Sequence, residues 1–379
     1  MVDVNAVLSK AKELKASDAH FIQGMKPIIR VNRDLTQLEE HDIIGKDEIF
    51  EIYDYFLQGN VDKDKFYKEN KILDTSAVFD DIRLRVNICA ADGLPVITTR
   101  LIRNELPTYE ELGVPDIVRR MTHQPQGLIL VTGKTNSGKS TTLNALINYI
   151  NENENKKILT LESPVEYRHK SKKSIIIQKE VGIGGDIPTY SIGTKNSLRE
   201  DCDILIIGEI RDRETMDAAI ETAESGHLVI GTLHTKSCAE TIDRMINFYD
   251  VGDQTQQKYL IASLLKLVVS QRLIKNKYGT LSLVPEVMVV DNIVAGLIRK
   301  DKLSVSEIED AIQSASINGS IGLINSLAKL FTDDQITLEQ AKAQVEEKNL
   351  EVLNRTIRQM ALKKEESQGA MNMQNRINM

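Results

Sequence analysis

The sequence predicts an α/β protein: a phosphate-loop core of parallel strands and helices, preceded by a small α+β domain and followed by a helical region. Residues Gly133 to Ser140 read GKTNSGKS, a complete G-x-x-x-x-G-K-[ST] pattern. From Gly127 onward, short apolar runs alternate with helical periods, as in a sheet of parallel strands. Ahead of residue 103, strand-like runs instead meet in pairs at turn residues, which is the sign of hairpins.

Taken in chain order, Val4, Val7, Leu8, Ala11 and Leu14 repeat at helical spacing over 4–15. Ile28–Val31 and Leu35–Leu38 flank Asn32-Arg33-Asp34 as a hairpin, and a helix follows over Lys46–Leu57. Lys71–Phe79 and Ile82–Ala90 meet at Asp80-Asp81, and Val96–Ile102 adds a further strand. These elements define a domain over 1–103. Pro107, Gly113, Pro115 and Pro125 punctuate 104–126, which reads as a linker. The core, 127–290, contains the strands Gly127–Thr132, Lys157–Leu161, Ser174–Gln178, Ile204–Gly208 and His227–Thr232. Helical periods over 291–300, 304–316, 320–332, 336–347 and 350–362 make up the C-terminal region. The tail 363–379 has few apolar anchors and is expected to lack fixed structure.

Composition narrows the class. The chain has 379 residues, 41% hydrophobic and 27% charged, which is ordinary for a globular protein with room for two or three domains. A formal charge of −7 argues against a dedicated nucleic-acid binder. Cys89, Cys202 and Cys238 are far apart and form no CxxC, so neither a cysteine zinc site nor a disulfide framework is indicated; a reducing, cytoplasmic setting is expected. The first twenty residues lack the apolar core of a signal peptide. The most apolar long stretch, Tyr259–Leu273, carries Lys266 and is too short to span a bilayer. No direct membrane insertion is expected; action at a membrane requires recruitment by a partner.

The phosphate loop has the context its pattern requires: an apolar strand before it, and after it a helix with Leu143, Leu146, Ile147 and Ile150 on one face. Backbone N–H groups along Gly133, Lys134, Thr135, Asn136, Ser137 and Gly138, and then the first helical turn of Lys139, Ser140 and Thr141, are arranged to cradle phosphates. Lys139 is expected to reach the β- and γ-phosphates and Ser140 to hold Mg²⁺. Glu209 follows the apolar run Ile204–Gly208, where a carboxylate serves Mg²⁺ and its water. Glu162 and Glu166 flank Ser163-Pro164-Val165 after another strand, where a carboxylate can orient the attacking water. His227 and His234 end one apolar run; a phosphate-sensing or intersubunit role stands beside that of a satisfied buried histidine. Arg199 and Arg211 flank these motifs, and Arg83, Arg85, Arg100 and Arg103 lie in the N-terminal domain, all able to match phosphate oxygens. No N/T-K-x-D element reads guanine, so ATP is the expected nucleotide.

The ordered set of phosphate loop, acidic box at Glu162–Glu166, Leu198-Arg199 to Asp203, Gly208-Glu209-Ile210-Arg211-Asp212 and Ala223 to Thr235 resembles the secretion-type hexameric ATPases. Among them the chain looks most like the branch that retracts type IV pili. The likeness runs from about Ser17 to Leu362 and is densest over 127–275. It implies a PAS-like N-terminal domain, a RecA-like core and a homohexamer with ATP and Mg²⁺ between one subunit's core and the next subunit's N-terminal domain. It further implies Glu166 as catalytic base, Glu162 as its support, Glu209 as the Walker B acid, and a histidine box of His227 and His234. Arg83, Arg85 and Arg100 match arginines that reach nucleotide or line the subunit junction, and Ser17-Asp18-Ala19-His20 matches an N-terminal S-D-x-H. An inner-membrane pilus platform protein, reached from the cytoplasmic face at the pilus base, and paralogous pilus ATPases are the implied partners. The alternatives are a pilus-extension or type II secretion ATPase, which usually carry longer N-terminal regions and a four-cysteine insert, and a weakly active regulatory paralogue. The chain departs from the family at Ser163, where Asp is usual, at Cys202 for Pro, at Lys134 and Asn136 for Pro and Gly, and at Leu297-Ile298-Arg299-Lys300, which keeps only part of a longer motif.

Overall fold

Apolar periodicity of two in the first hundred residues builds one antiparallel sheet, and near-continuous apolar runs after Gly127 build a second, largely parallel one. The computed structural model describes residues 2–31, 34–80, 82–102, 106–314 and 318–377. Asn32, Arg33, Asp81 and Arg103, named above in turns and among the arginines, lie outside the described residues. The chain forms two compact units, Met1–Leu106 with Asn151–Asp201, and Pro107–Ile150 with Cys202–Met379.

In the first unit, Asp3 caps the helix Val4–Glu13 by accepting from the N–H groups of Asn5 and Ala6, and Val4, Val7, Leu8 and Ala11 turn inward. The sheet order is Asp34–Gln37, Ile28–Val31, Asp18–Phe21, Leu94–Ile102, Ile82–Ala91, Ile72–Phe79. Each neighbouring pair is antiparallel. The helix Lys46–Leu57 buries Ile49, Ile52, Tyr53, Phe56 and Leu57, and Phe56 meets Phe21 with ring centroids 5.7 Å apart. Leu84, Val86, Ile88 and Ile97 supply the inner face of the strands. Arg83 and Arg85 therefore share the opposite, polar face. The remainder of this unit carries Lys157–Glu162 and Ile175–Glu180, paired in parallel with Glu162 opposite Glu180, and the helix Tyr190–Ser197 capped by Thr189.

In the second unit, Gly127–Thr132 and Leu228–Leu233 are buried at every position. Leu228–Leu233 pairs in parallel with both Gly127–Thr132 and Ile204–Ile207, and Leu265–Lys275 joins the other side of Gly127–Thr132, also in parallel. Burial on both faces is what makes such strands read as unbroken apolar runs. The parallel pattern stops at the last strand: Leu281–Val289 runs antiparallel to Leu265–Lys275. The link between them is a tight turn in which the Asn276 side chain accepts from the N–H groups of Tyr278 and Thr280. A parallel return needs a crossover of a dozen or more residues, and this link is far shorter. The apolar stretch around Tyr259 divides into the helix Val251–Leu264 and the start of that strand. Among the described residues no helix is long and apolar enough to cross a membrane.

The helices Asn292–Ile298, Val305–Ser314, Leu323–Thr332 and Leu338–Lys342 follow. Ile324, Leu327, Ala328, Ile336 and Leu353 pack with Ile274 and Val284 of the antiparallel pair. The stretch 104–126 contains the helix Asp116–Met121, with Val118 buried. The final helix runs Leu350–Ile377, through the tail expected to lack fixed structure. Lys, Glu, Gln, Ala and Met are good helix formers, and a helix pairs its own backbone groups without a core to bury in.

Candidate nucleotide site

The phosphate loop bridges the buried strand Gly127–Thr132 and the helix Lys139–Asn153. Gly133 sits at φ +147°, Asn136 at +64° and Gly138 at +87°. A Cβ on Gly133 would stand 2.3 Å from Ser137 Oγ and 2.5 Å from the Gln271 carbonyl, so only glycine fits there. The buried Lys139 ammonium donates to the carbonyls of Gly133 (2.8 Å) and Lys134 (3.1 Å). Burial lowers its pKa, with the nearby Glu209 charge acting in the opposite sense. Ser137 Oγ is buried without a hydrogen-bond partner. Lys134, Thr135, Asn136 and Ser140 are exposed, and Thr141 is partly so. This donor set fits a phosphate chain: a buried cation, an unpaired buried hydroxyl, a helix N-terminus, and a backbone that passes close because it lacks side chains where they would intrude. For Mg²⁺, the donors of the right type are the exposed Ser140 hydroxyl and the Glu209 carboxylate.

Two parallel strands deliver the acid and the histidine. Past Ile204–Ile207 the chain is held to its neighbour by Ile210 N–H on Thr232 O (2.9 Å) and by Thr232 Oγ1 on Gly208 O (2.5 Å). Glu209 Oε1 lies 3.2 Å from His234 Nε2, and Glu209 Oε2 accepts from Arg211 at 2.5 Å. His234 Nδ1 is 3.4 Å from Lys139 Nζ. Burial, then the Lys139 charge, holds His234 below the usual histidine range, against the pull of Glu209. A neutral imidazole thus bridges the loop lysine and the strand-end carboxylate. Arg211 is exposed beyond Glu209. It pairs with that carboxylate.

His227 does not join this cluster. It lies at the opposite end of Leu228–Leu233, where Nδ1 is 3.0 Å from Ser225 Oγ. At about 3.3 Å per residue a strand of this length keeps the two histidines roughly 20 Å apart. The sequence places them at the two ends of one apolar run, and the strand between them keeps them apart.

The segment after His234 is fastened on several sides. Thr235 Oγ1 meets Thr241 Oγ1 at 2.7 Å, Glu240 accepts from Lys236 N–H at 2.7 Å, and the buried Glu286 accepts from Cys238 N–H at 2.9 Å. Gln271 donates to Thr142 in the phosphate helix at 2.8 Å. Its neighbour Arg272 donates to Lys236 O (3.3 Å) and Gln344 O (3.2 Å). Sequence reading missed these supports; those of Glu286, Gln271 and Arg272 depend on how segments distant in sequence come together.

In the first unit, Glu162 ends its strand buried. Its Oε1 accepts from Thr160 Oγ1 (2.7 Å) and Gln178 Nε2 (3.1 Å), and its carboxylate also takes the Glu166 backbone N–H. Burial nonetheless pushes its pKa up. Glu166 is only partly buried. Of the two acids, one is thus an internal fixture and the other is presented. The arginines divide likewise. Arg83 is buried against Glu180 and Ser76. Arg85 is exposed, and Arg100, directly opposite it in register, is exposed and pairs with Asp18 at 3.0 Å. Asp18 in turn stands opposite Arg30. Arg30 extends the row and escaped notice in the sequence; the alternation of strand residues would have found it. Arg199 is exposed in the turn after Tyr190–Ser197.

With this geometry described, comparison with known proteins is specific. The family described as Type II/IV secretion system protein matches residues 79–375. The chain belongs to that family. Within it, the type IV pilus retraction ATPase PilT of Pseudomonas aeruginosa is 36% identical over 345 residues, covering 90% of this chain and 97% of the relative. The type IV pilus ATPase PilU of the same organism is 35% identical over 269 residues, 70% of this chain and 69% of the relative. A crystal structure of the pilus retraction motor PilT with bound ADP superposes with a TM-score of 0.84 at 33% identity, covering 93% of this chain and 99% of that one. The mixed fold, with its phosphate-loop core, is that of the secretion ATPases.

Proposed function

We propose that this chain is the subunit of a homohexameric, ATP-hydrolysing motor that powers type IV pilus retraction. The observation that carries the chemistry is the cluster of Lys139, His234 and Glu209 at a complete phosphate loop, with 2.8 Å, 3.4 Å and 3.2 Å contacts linking loop, lysine, histidine and acid. Likeness to a retraction ATPase along nearly the whole of both chains supports the direction of the motor.

In this reading the loop N–H groups, Ser137 Oγ and Lys139 bind the β- and γ-phosphates and neutralise charge as it shifts. Ser140 and Glu209 would hold Mg²⁺, partly through water, and the metal would supply charge stabilisation. Glu166 accepts the proton of the attacking water, and Glu162 fixes its backbone. His234, neutral between Lys139 and Glu209, orients both. Arg85 and Arg100 serve the neighbouring subunit's site, with Arg199 and Arg211 flanking their own. The functional parts follow the sequence division: an N-terminal domain to 103, a linker, a motor core over 127–290 and a helical region to 362. The ring works at the cytoplasmic face of the inner membrane on a pilus platform protein, alongside paralogous pilus ATPases.

A second reading, an accessory paralogue of low activity, is favoured by Ser163 in place of the usual acid. Steady-state turnover of the purified ring separates the two, with Lys139→Ala as the inactive reference. Gene deletion tests direction: excess surface pili support retraction, and bald cells overturn it in favour of extension.

A further inference from the structure

The acidic turn is held by two carboxylates, only one of which belongs to it. Glu162 takes the backbone N–H of Glu166. The preceding amide, Val165 N–H, donates to Glu180 Oε2 at 3.4 Å. Glu180 ends the strand beside Glu162, its direct register partner. Its main chain is pinned as well, the N–H donating to Asp186 Oδ2 at 2.7 Å and the carbonyl accepting from Asp186 N–H at 2.8 Å. The side chain of Glu180 is then clamped by the N-terminal sheet. Ser76 Oγ donates to Oε1 at 2.6 Å, and Arg83 donates to Oε2 and, at 2.9 Å, to Ser76 Oγ. Lys63 adds a further positive charge beside this pair.

The Arg83 side chain is 8% exposed and that of Glu180 16%. An ion pair this deep does not open cheaply, because each partner would be left as an uncompensated buried charge. Arg83 is therefore committed inward, whereas Arg85, two residues on along the same face, is exposed. We propose that Glu180 is a positioning residue for Glu166, and that Arg83 acts through Glu180 rather than on nucleotide. The proposal rests on the ATPase reading for its kinetic consequence only. Consecutive amides of the turn are fixed by Glu180 and Glu162, so losing the first anchor lets the turn slip while leaving the phosphate loop intact. A displacement of about 1 Å in a reacting group can cost on the order of 10²-fold in rate without weakening substrate binding.

The test uses Glu180→Gln, Arg83→Gln and the double variant in the full-length ring. The expected result is a fall in kcat of about 10- to 100-fold in each single variant. ATP affinity, read with a fluorescent analogue, should stay within about threefold of wild type, and the double variant should be no worse than either single one. Arg83→Lys should recover part of the loss. An Arg83→Gln variant whose ATP affinity drops about tenfold while Glu180→Gln binds normally would overturn the proposal, as would wild-type kcat in Glu180→Gln. If an unpaired charge prevents either single variant from folding, the double variant, neutral at both positions, carries the same comparison. Amide hydrogen exchange over 163–167 without nucleotide supplies a readout free of turnover. It should quicken in the double variant, and unchanged exchange refutes the clamp. A wild-type ring that failed to hydrolyse ATP would sink the motor reading while leaving the exchange result to decide this one.

Discussion

Gly133→Ala is the sharpest small perturbation of the proposed site. The new methyl meets two obstacles at once: Ser137 Oγ at 2.3 Å, which can rotate, and the Gln271 carbonyl at 2.5 Å, which is backbone and cannot. The backbone at φ +147° is also one that side chains disfavour. Held conformational strain costs about 1–3 kcal/mol, and overpacking a further 1–3 kcal/mol or so. The sum is a large fraction of the stability of a typical domain, about 5–15 kcal/mol. The loop has a cheaper way out: moving by roughly 1 Å restores ordinary contact, at the expense of the N–H cradle and of Lys139, whose ammonium leans on Gly133 O. The expected outcome is a folded protein with its melting point lowered by several degrees, ATP affinity reduced at least tenfold and turnover reduced on the order of 10²-fold. Gly24→Ala is the matched control: φ is +80° but nothing lies within 4 Å of the added methyl, so only the backbone penalty applies. Measuring melting, fluorescent-nucleotide binding and phosphate release on both variants completes the test. Wild-type affinity and turnover in Gly133→Ala would refute the assignment of this loop as the phosphate cradle.

Glu166→Gln should retain ATP binding and lose turnover, while Glu162→Gln, a neutral isostere of a carboxyl whose pKa burial already raises, should melt no lower than wild type at neutral pH; the reverse kinetic pattern would exchange their roles. His234 should make the fold acid-sensitive. Its pKa is depressed, so between that value and the ordinary 6.5 or so the unfolded chain binds a proton the folded one does not, and stability is lost as pH falls through that window. Melting from about pH 7 to about pH 5 should fall less steeply in His234→Gln than in wild type, and parallel curves would count against it. Ser163→Asp should leave turnover equal or modestly higher, since a further carboxylate raises the basicity of Glu166; a drop beyond tenfold, ~1.4 kcal/mol of barrier, would mean that the box is tuned to serine.

What the sequence revealed depended on how local the chemistry was. The phosphate loop was legible because its eight residues are consecutive and its flanks are plain. Glu209 and His234 were legible as residues just past apolar strands, and the Lys46–Leu57 helix because its apolar face is clean. The strand Asp18–Phe21 is four residues long, too short for alternation to stand out. The helix Val61–Asn70 buries only Tyr67, so it carries almost no period. The sorting of Arg83 from Arg85 and the supports at Glu180, Gln271 and Glu286 arise from register and packing between segments distant in sequence. A single chain read from end to end does not display register.

The strand Leu265–Lys275 has a mechanical consequence. At two adjacent positions it grips three parts of the second unit: the phosphate helix through Gln271, and through Arg272 both the segment after the histidine and the carbonyl of Gln344 in the helical region. Over Leu265–Ser270 it is also laced to the strand that enters the phosphate loop, and over Leu267–Lys275 to Leu281–Val289. Where both edges are bonded, over Leu267–Ser270, the strand has little slack, and Gln271 and Arg272 follow directly, held on the Leu281–Val289 side. In the proposed motor, this arrangement predicts that strain at the phosphate loop reaches the helices some seventy residues further along the chain through Gln271 and Arg272, and that a load on those helices is felt in return at the loop.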